Sequence, residues 1–202
     1  MVDDIFVIDG STEESTSNNK YILIDSEADF IQENVFVKEL VLSDDGKWFQ
    51  IICEKDGLEV STQRQYFPDP AKKDEPTYPK VVSIKKGLLT NFLRRFAGEN
   101  ANVKATSWVE FVQRVDMMCK PRYKTTPLRV KLELVEGRND YAGKYYTNIS
   151  TFAPFENMTT AKSKLFVGKK DKQLLEFKLN EDRVAPDSDT SIGTDSEIAA
   201  TF

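Results

Sequence analysis

The chain has 202 residues, 40% of them apolar and 30% charged, which suits one sizeable folded core with or without appendages. It contains no histidine and only two cysteines, Cys53 and Cys119, without C-x-x-C spacing. That excludes Ser-His-Asp and Cys-His catalysis and any zinc site that needs imidazole.

The formal net charge of −5 hides a segregation by region. Residues 1–19 carry five acids and no base, and residues 181–202 carry six acids and one base. Between these acidic ends, residues 80–179 hold 20 bases against 9 acids, a net of +11. An asymmetry of this size predicts an anion-binding surface rather than an evenly solvated one. The carboxylates are scattered over turns and polar positions and do not cluster as magnesium ligands would. The chain is therefore read as non-enzymatic, with no cofactor and no metal.

No stretch approaches the roughly 18 apolar residues of a membrane span, and the acidic start MVDDIFVIDG differs from the basic start of a secretory signal. A cytoplasmic protein is expected. Residues 5–8 (IFVI) read either as an edge strand or as an apolar association segment. Residues 10–19 (GSTEESTSNN) are too polar to order themselves.

A hairpin pattern follows. Asn34 to Leu42 is a β-branched, partly alternating run, closed by the turn Asp44-Asp45-Gly46. Lys47 to Cys53 is a second run, Asp56-Gly57 a second turn, and Leu58 to Phe67 a third run. Asp-Gly turns between short apolar runs predict a three-stranded antiparallel meander. Trp48 and Phe49 are neighbours, so they must face opposite sides of their strand. The four prolines of residues 68–79 mark a loop.

Helical spacing takes over at Ser83 to Ala97, where Ile84, Leu88, Leu89, Phe92, Leu93 and Phe96 make one stripe and Gly98 a stop. Its polar positions hold Lys85, Lys86, Arg94 and Arg95. A second helix is predicted from Trp108 to about Met118, opened by the capping box Ser107 to Glu110. Trp108, Phe111, Val112, Val115 and Met118 are its expected core stripe.

Strand alternation returns at Leu128 to Val135, with Arg129, Lys131 and Glu133 between leucines and valine, and again at Lys144 to Phe152. The Lys-rich residues 157–172 read either as a mobile strand-binding arm or as an ordinary connection. Leu174 to Leu179 reads as a last strand, and a disordered acidic tail is expected from residue 181.

Meander, helical insertion and later hairpin give the element order of a β-rich α+β fold, a five-stranded OB-like Greek-key barrel. The expected organisation is a segment 1–19, a barrel domain 20–180 and a tail 181–202. Such a barrel leaves one strand surface open. Single-stranded nucleic acid needs cations along the phosphates and flat rings against the bases there. Arg122, Lys124, Arg129, Lys131 and Lys144 are the expected phosphate contacts. Trp48, Tyr123, Tyr145 and Tyr146 are the expected stacking rings, with Tyr141, Phe152 and Phe155 close by in sequence.

The chain closes on TDSEIAATF, in which spaced acids precede apolar residues and Phe202. With the barrel order, this resembles the phage-type single-stranded-DNA-binding proteins, whose OB core carries an acidic tail with an apolar tip. The resemblance implies sequence-independent binding and protection of single-stranded DNA during replication, recombination or repair in the host cytoplasm. It also implies recruitment of replication or recombination partners by the tail, with Asp195, Glu197, Ile198 and Phe202 at the tip. Two other readings stay open: a protein–protein adaptor or virion component using the basic face, and an RNA-binding regulator. Homo-oligomerisation leaves no pattern that decides it.

Overall fold

The computed structural model describes residues 21–137, 139 and 142–184, the side chains of 182–184 excepted. In chain order the regular elements are β1 (Ile31–Leu42), β2 (Trp48–Lys55), β3 (Leu58–Ser61), β4 (Gln65–Tyr66), α1 (Tyr78–Ala97), α2 (Trp108–Cys119), β5 (Leu128–Glu136), β6 (Tyr145–Ile149), β7 (Phe155–Asn157) and α3 (Lys169–Val184). No helix among the described residues is long and apolar enough to cross a membrane.

The expected meander forms, and its turns are those the sequence requires. Lys55 pairs with Leu58 across a two-residue loop in which Asp56 and Gly57 both adopt positive φ, 52° and 81°. That is the primed geometry a tight hairpin needs. The third run breaks after Ser61 and resumes as β4, which pairs with the start of β2 through Trp48↔Tyr66 and Phe49↔Gln65.

One long strand makes the sheet curl. β1 pairs β5 over Ile31–Val35 and β2 over Phe36–Leu42, changing partner midway. Two register shifts permit the bend. At the first, Asn34 sits at φ 57°, a left-handed conformation that Asn tolerates better than most residues. At the second, between Val37 and Glu39, Lys38 and Glu39 both face solvent, and Leu40 returns to the interior.

The strand order is β3-β2-β1-β5-β6, and the ends approach through a parallel bridge between Thr62 and Ile149. Buried Thr62 supports this seam: it donates its N–H to the Ile51 carbonyl (2.9 Å), and its Oγ1 accepts from Ile51 N–H (3.1 Å). β6 and β7 run one after the other along the same edge of β5. The result is a nearly closed antiparallel five-stranded barrel with its helical connection between the third and fourth barrel strands, an OB-like fold.

Alternation fills the interior with Val35, Val37, Phe49, Ile51, Leu128, Val130, Leu132 and Ile149. α1 adds Leu88, Leu89, Phe92, Leu93 and Phe96, and α2 adds Phe111, Val112, Val115 and Cys119. Fully burying each large apolar side chain is worth about 1.5–3 kcal/mol. Cys53 and Cys119 are buried and unbonded.

Four expectations change. α1 begins at Tyr78 rather than Ser83, because Pro79, read as part of a loop, suits a helix's first turn. Met118 is exposed. The helix runs one residue further, and Cys119, at i+4 from Val115, takes the inward place. Leu174 to Leu179 is helical, not a strand. Leu174, Leu175 and Leu179 pack inward while Phe177 is exposed, a helical spacing that the short run disguised as alternation. α3 continues to Val184, past the expected start of the tail at 181. The expected N-terminal segment, Tyr141 and the tail-tip residues Asp195, Glu197, Ile198 and Phe202 lie outside the described residues.

Candidate nucleic-acid interface

The nine residues singled out from the sequence do not meet on one surface. Tyr123 is a core residue, not a stacking ring. It is 4% exposed, its ring packs against Phe92 (5.8 Å) and Phe96 (5.6 Å), and its hydroxyl donates to Asp116 Oδ1 at 2.8 Å. Burial, then the neighbouring Asp116 carboxylate, push its phenol far above the ordinary range. Flanking charges marked it as exposed, but a helical turn over 120–122 swings the ring under α1.

Its neighbours split. Arg122 donates from Nη1 to the Phe96 carbonyl, one of the unpaired carbonyls that end α1, while Lys124 is exposed. Arg129 and Lys131 do share the outer face of β5, but both are internally neutralised. Arg129 donates to Glu33 and Glu156 at 2.8 Å each, and Lys131 donates to Asp171 at 2.7 Å, beneath α3. Their side chains are only 13% and 15% exposed, so neither head group follows a phosphate without giving up a partner. The β5–β6 hairpin carries Lys144, Tyr145 and Tyr146. Tyr145 packs partly into the core, while Tyr146 is exposed.

Trp48 sits on the outer face of β2. Phe49 is fully buried, so Trp48 points outward, as alternation requires. The pairing of β2 with β4 repeats this choice: buried Gln65 lies opposite Phe49, and exposed Tyr66 lies opposite Trp48. Side chains directly opposite across an antiparallel pair are neighbours, so the two rings share one surface. The Arg64 guanidinium lies 4.7 Å from the Trp48 ring centroid, a cation–π distance. Gln50, on the same face, is occupied internally, donating to Ser61 Oγ (2.9 Å) and to the Thr62 carbonyl (2.7 Å).

The inward side of β4, turned away from this cluster, meets α1 through Gln65. Lys85 Nζ lies 3.4 Å from Gln65 Oε1, and burial holds its ammonium below the usual lysine range. Sequence reasoning named Trp48 but missed Arg64 and Tyr66. The signal was present: Phe49 and Gln65 occupy matching inward positions once the third run is broken after Ser61. The break itself has no sequence marker, so the pairing was not legible.

A second surface contains cations and rings together. α1, the β6–β7 connection and the Lys-rich stretch 158–168 enclose a groove of about 680 Å³. The Lys-rich stretch is tied to the barrel: Lys164 donates its N–H to Glu156 Oε1 (2.8 Å), and Gly168 donates its N–H to Asp171 Oδ2 (2.8 Å). Burial would raise the Glu156 carboxyl, but the Lys164 N–H and Arg129 outweigh it and hold it below the usual carboxylate range.

Scans against protein-family models, curated proteins and solved structures find no match to this chain. Fold and surface chemistry therefore carry the functional argument.

Proposed function

We propose that this chain binds single-stranded DNA without sequence preference, through the open strand face that carries Trp48, Tyr66 and Arg64. The observation that supports this reading is the cross-strand pairing of two outward aromatic rings beside a guanidinium on an OB-like barrel. Unpaired bases offer π-faces of every kind, so ring stacking tolerates any sequence, and a cation beside the ring attracts the phosphate. Gln50, the amide on this surface suited to reading base edges, is engaged with Ser61 and Thr62, which favours stacking over edge recognition.

In this reading the protein coats and protects single strands during replication or recombination in the cytoplasm, as in the phage-type proteins it resembles. The acidic tail recruits partners through Asp195, Glu197, Ile198 and Phe202.

The test is a fluorescence titration with oligo-dT, the same length of duplex and the matching RNA, at two salt concentrations. Tight, salt-sensitive binding to the DNA single strand is expected. Trp48→Ala with Tyr66→Ala should weaken it by about 1–3 kcal/mol per lost stack. Preference for RNA would favour the regulator reading, and absence of nucleic-acid binding would favour the adaptor. Unchanged affinity in the double variant would remove this face from the interface.

A further inference from the structure

The groove beside α1 contains two phenyl rings that the core does not use. Phe152 is 68% exposed and Phe166 is 72% exposed. An exposed phenyl costs hydration free energy, and two lining one groove mark a surface built to be covered.

The charges around these rings favour an anionic occupant. Three of the groove's acids are already answered: Glu99 by Arg95 (2.7 Å), Asp171 by Lys131 (2.7 Å) and Glu156 by Arg129 (2.8 Å). The fourth, Glu133, has its carboxyl pushed above the usual range, chiefly by burial. The cations are not answered in the same way. Among the described residues, Lys86, Arg94 and Lys164 form no ion pair.

Geometry joins this groove to the basic side of α1. Asn91, Arg95 and Ala153 line both the groove and a shallow depression along α1 that also holds Lys86 and Arg94. Lys86 and Arg94 lie eight residues apart on one helix, roughly 12 Å along its axis. Cations thus line the approach along α1 to the groove that Phe152 and Phe166 share.

We infer that this groove is a second stacking platform for the same single strand, entered along Lys86 and Arg94 of α1. The inference rests on the function proposed above and extends it. The rest of the lining mixes Ser150, Thr160 and Asn91 with Ala153, Phe155 and Leu165, so the occupant meets polar and apolar groups side by side. Ring faces between cations suit bases and phosphates, and Lys131 Nζ already stands 5.3 Å from the Phe166 ring centroid.

A length series separates the two sites. One OB face spans about 4–16 nucleotides, so oligo-dT of about eight nucleotides reports the barrel face and oligo-dT of about thirty reports the whole path. The full-length Phe152→Ala/Phe166→Ala protein should bind the long strand about tenfold or more weakly and the short strand unchanged. Phe152→Tyr/Phe166→Tyr, which keeps the rings, should restore the long-strand affinity. Lys86→Glu/Arg94→Glu should lower the salt slope for the long strand by about 2 and leave the short-strand slope alone.

Unchanged long-strand affinity in the alanine variant overturns the inference while leaving the barrel face intact. An equal loss at both lengths also overturns it, because the groove would then be the primary site. If the wild-type protein binds neither length, the proposed function falls first, and the groove falls with it.

Discussion

The barrel face around Trp48 and the groove around Phe152 both set aromatic rings beside cations, but the chain holds them by different means. On the barrel face the register of two paired strands fixes the rings: Trp48 stands opposite Tyr66 because Phe49 stands opposite Gln65. In the groove the rings belong to connecting segments, and helix periodicity sets the cations, Lys86 and Arg94 of α1. A sheet register cannot slip by one residue without turning every side chain to the other side, so the first arrangement is rigid. Segments held by a few hydrogen bonds, such as Lys164 N–H to Glu156, adapt more readily to a ligand. Under the proposed function, the first surface would fix a strand's position and the second would follow it.

The largest expected effect strikes both regions at once. Phe92 is fully buried and touches Phe96, Tyr123 and Phe155, so it fastens α1 to β7 and the barrel. Phe92→Ala should lower the unfolding free energy by about 3–5 kcal/mol, measured by urea denaturation. Loss of under about 1 kcal/mol would mean that α1 is held by other contacts.

Glu156→Gln strikes the groove alone. It removes the charge that pairs with Arg129 and turns one of the two carboxylate oxygens into an NH2 donor, leaving a single acceptor for Arg129 and the Lys164 N–H together. A cost of about 3 kcal/mol at neutral pH is expected, the low end for a broken buried pair, since Glu33 remains with Arg129. The sign with pH follows from its lowered folded-state pKa. The stability Glu156 contributes is present above the ordinary carboxylate pKa and is lost as pH falls through the lower, folded-state value. Wild type and variant should therefore converge in acid-side denaturation curves. Short-strand DNA binding should stay unchanged; a loss there would merge the two regions into one.

Tyr123→Phe is the smallest effect and touches neither surface. Removing the hydroxyl that donates to Asp116 should cost about 1 kcal/mol of stability and leave affinity for every oligonucleotide unchanged. Weakened DNA binding would restore Tyr123 to the interface.

Local patterning was enough for most of the architecture. The Asp56-Gly57 hairpin, the alternation of Leu128 to Leu134 and the Ser107 cap of α2 each depend on residues within a few positions of one another. The five-stranded OB-like order followed from them. The 174–179 run failed because six residues are too few to separate a period of 2 from a period of 3.6.

The candidate interface was legible only in part. Trp48 stood out because it and Phe49 must face opposite sides of one strand, with folding deciding which is buried, whereas Tyr66 required knowing where the third strand breaks. Arg129 and Lys131 looked like phosphate contacts because their partners, Glu33, Glu156 and Asp171, are distant in sequence and meet them only after folding.

The sequence by itself determined the order of the barrel strands and of α1 and α2, the turn chemistry, the inward stripes of α1 and β5, and the basic bias of residues 80–179. Only the tertiary structure decided which cations are neutralised and which rings are covered. The physical reason is that secondary structure answers to neighbours a few residues away. Exposure and ion pairing answer to groups that the barrel's closure brings together, such as Arg129 with Glu33 across 96 residues of chain.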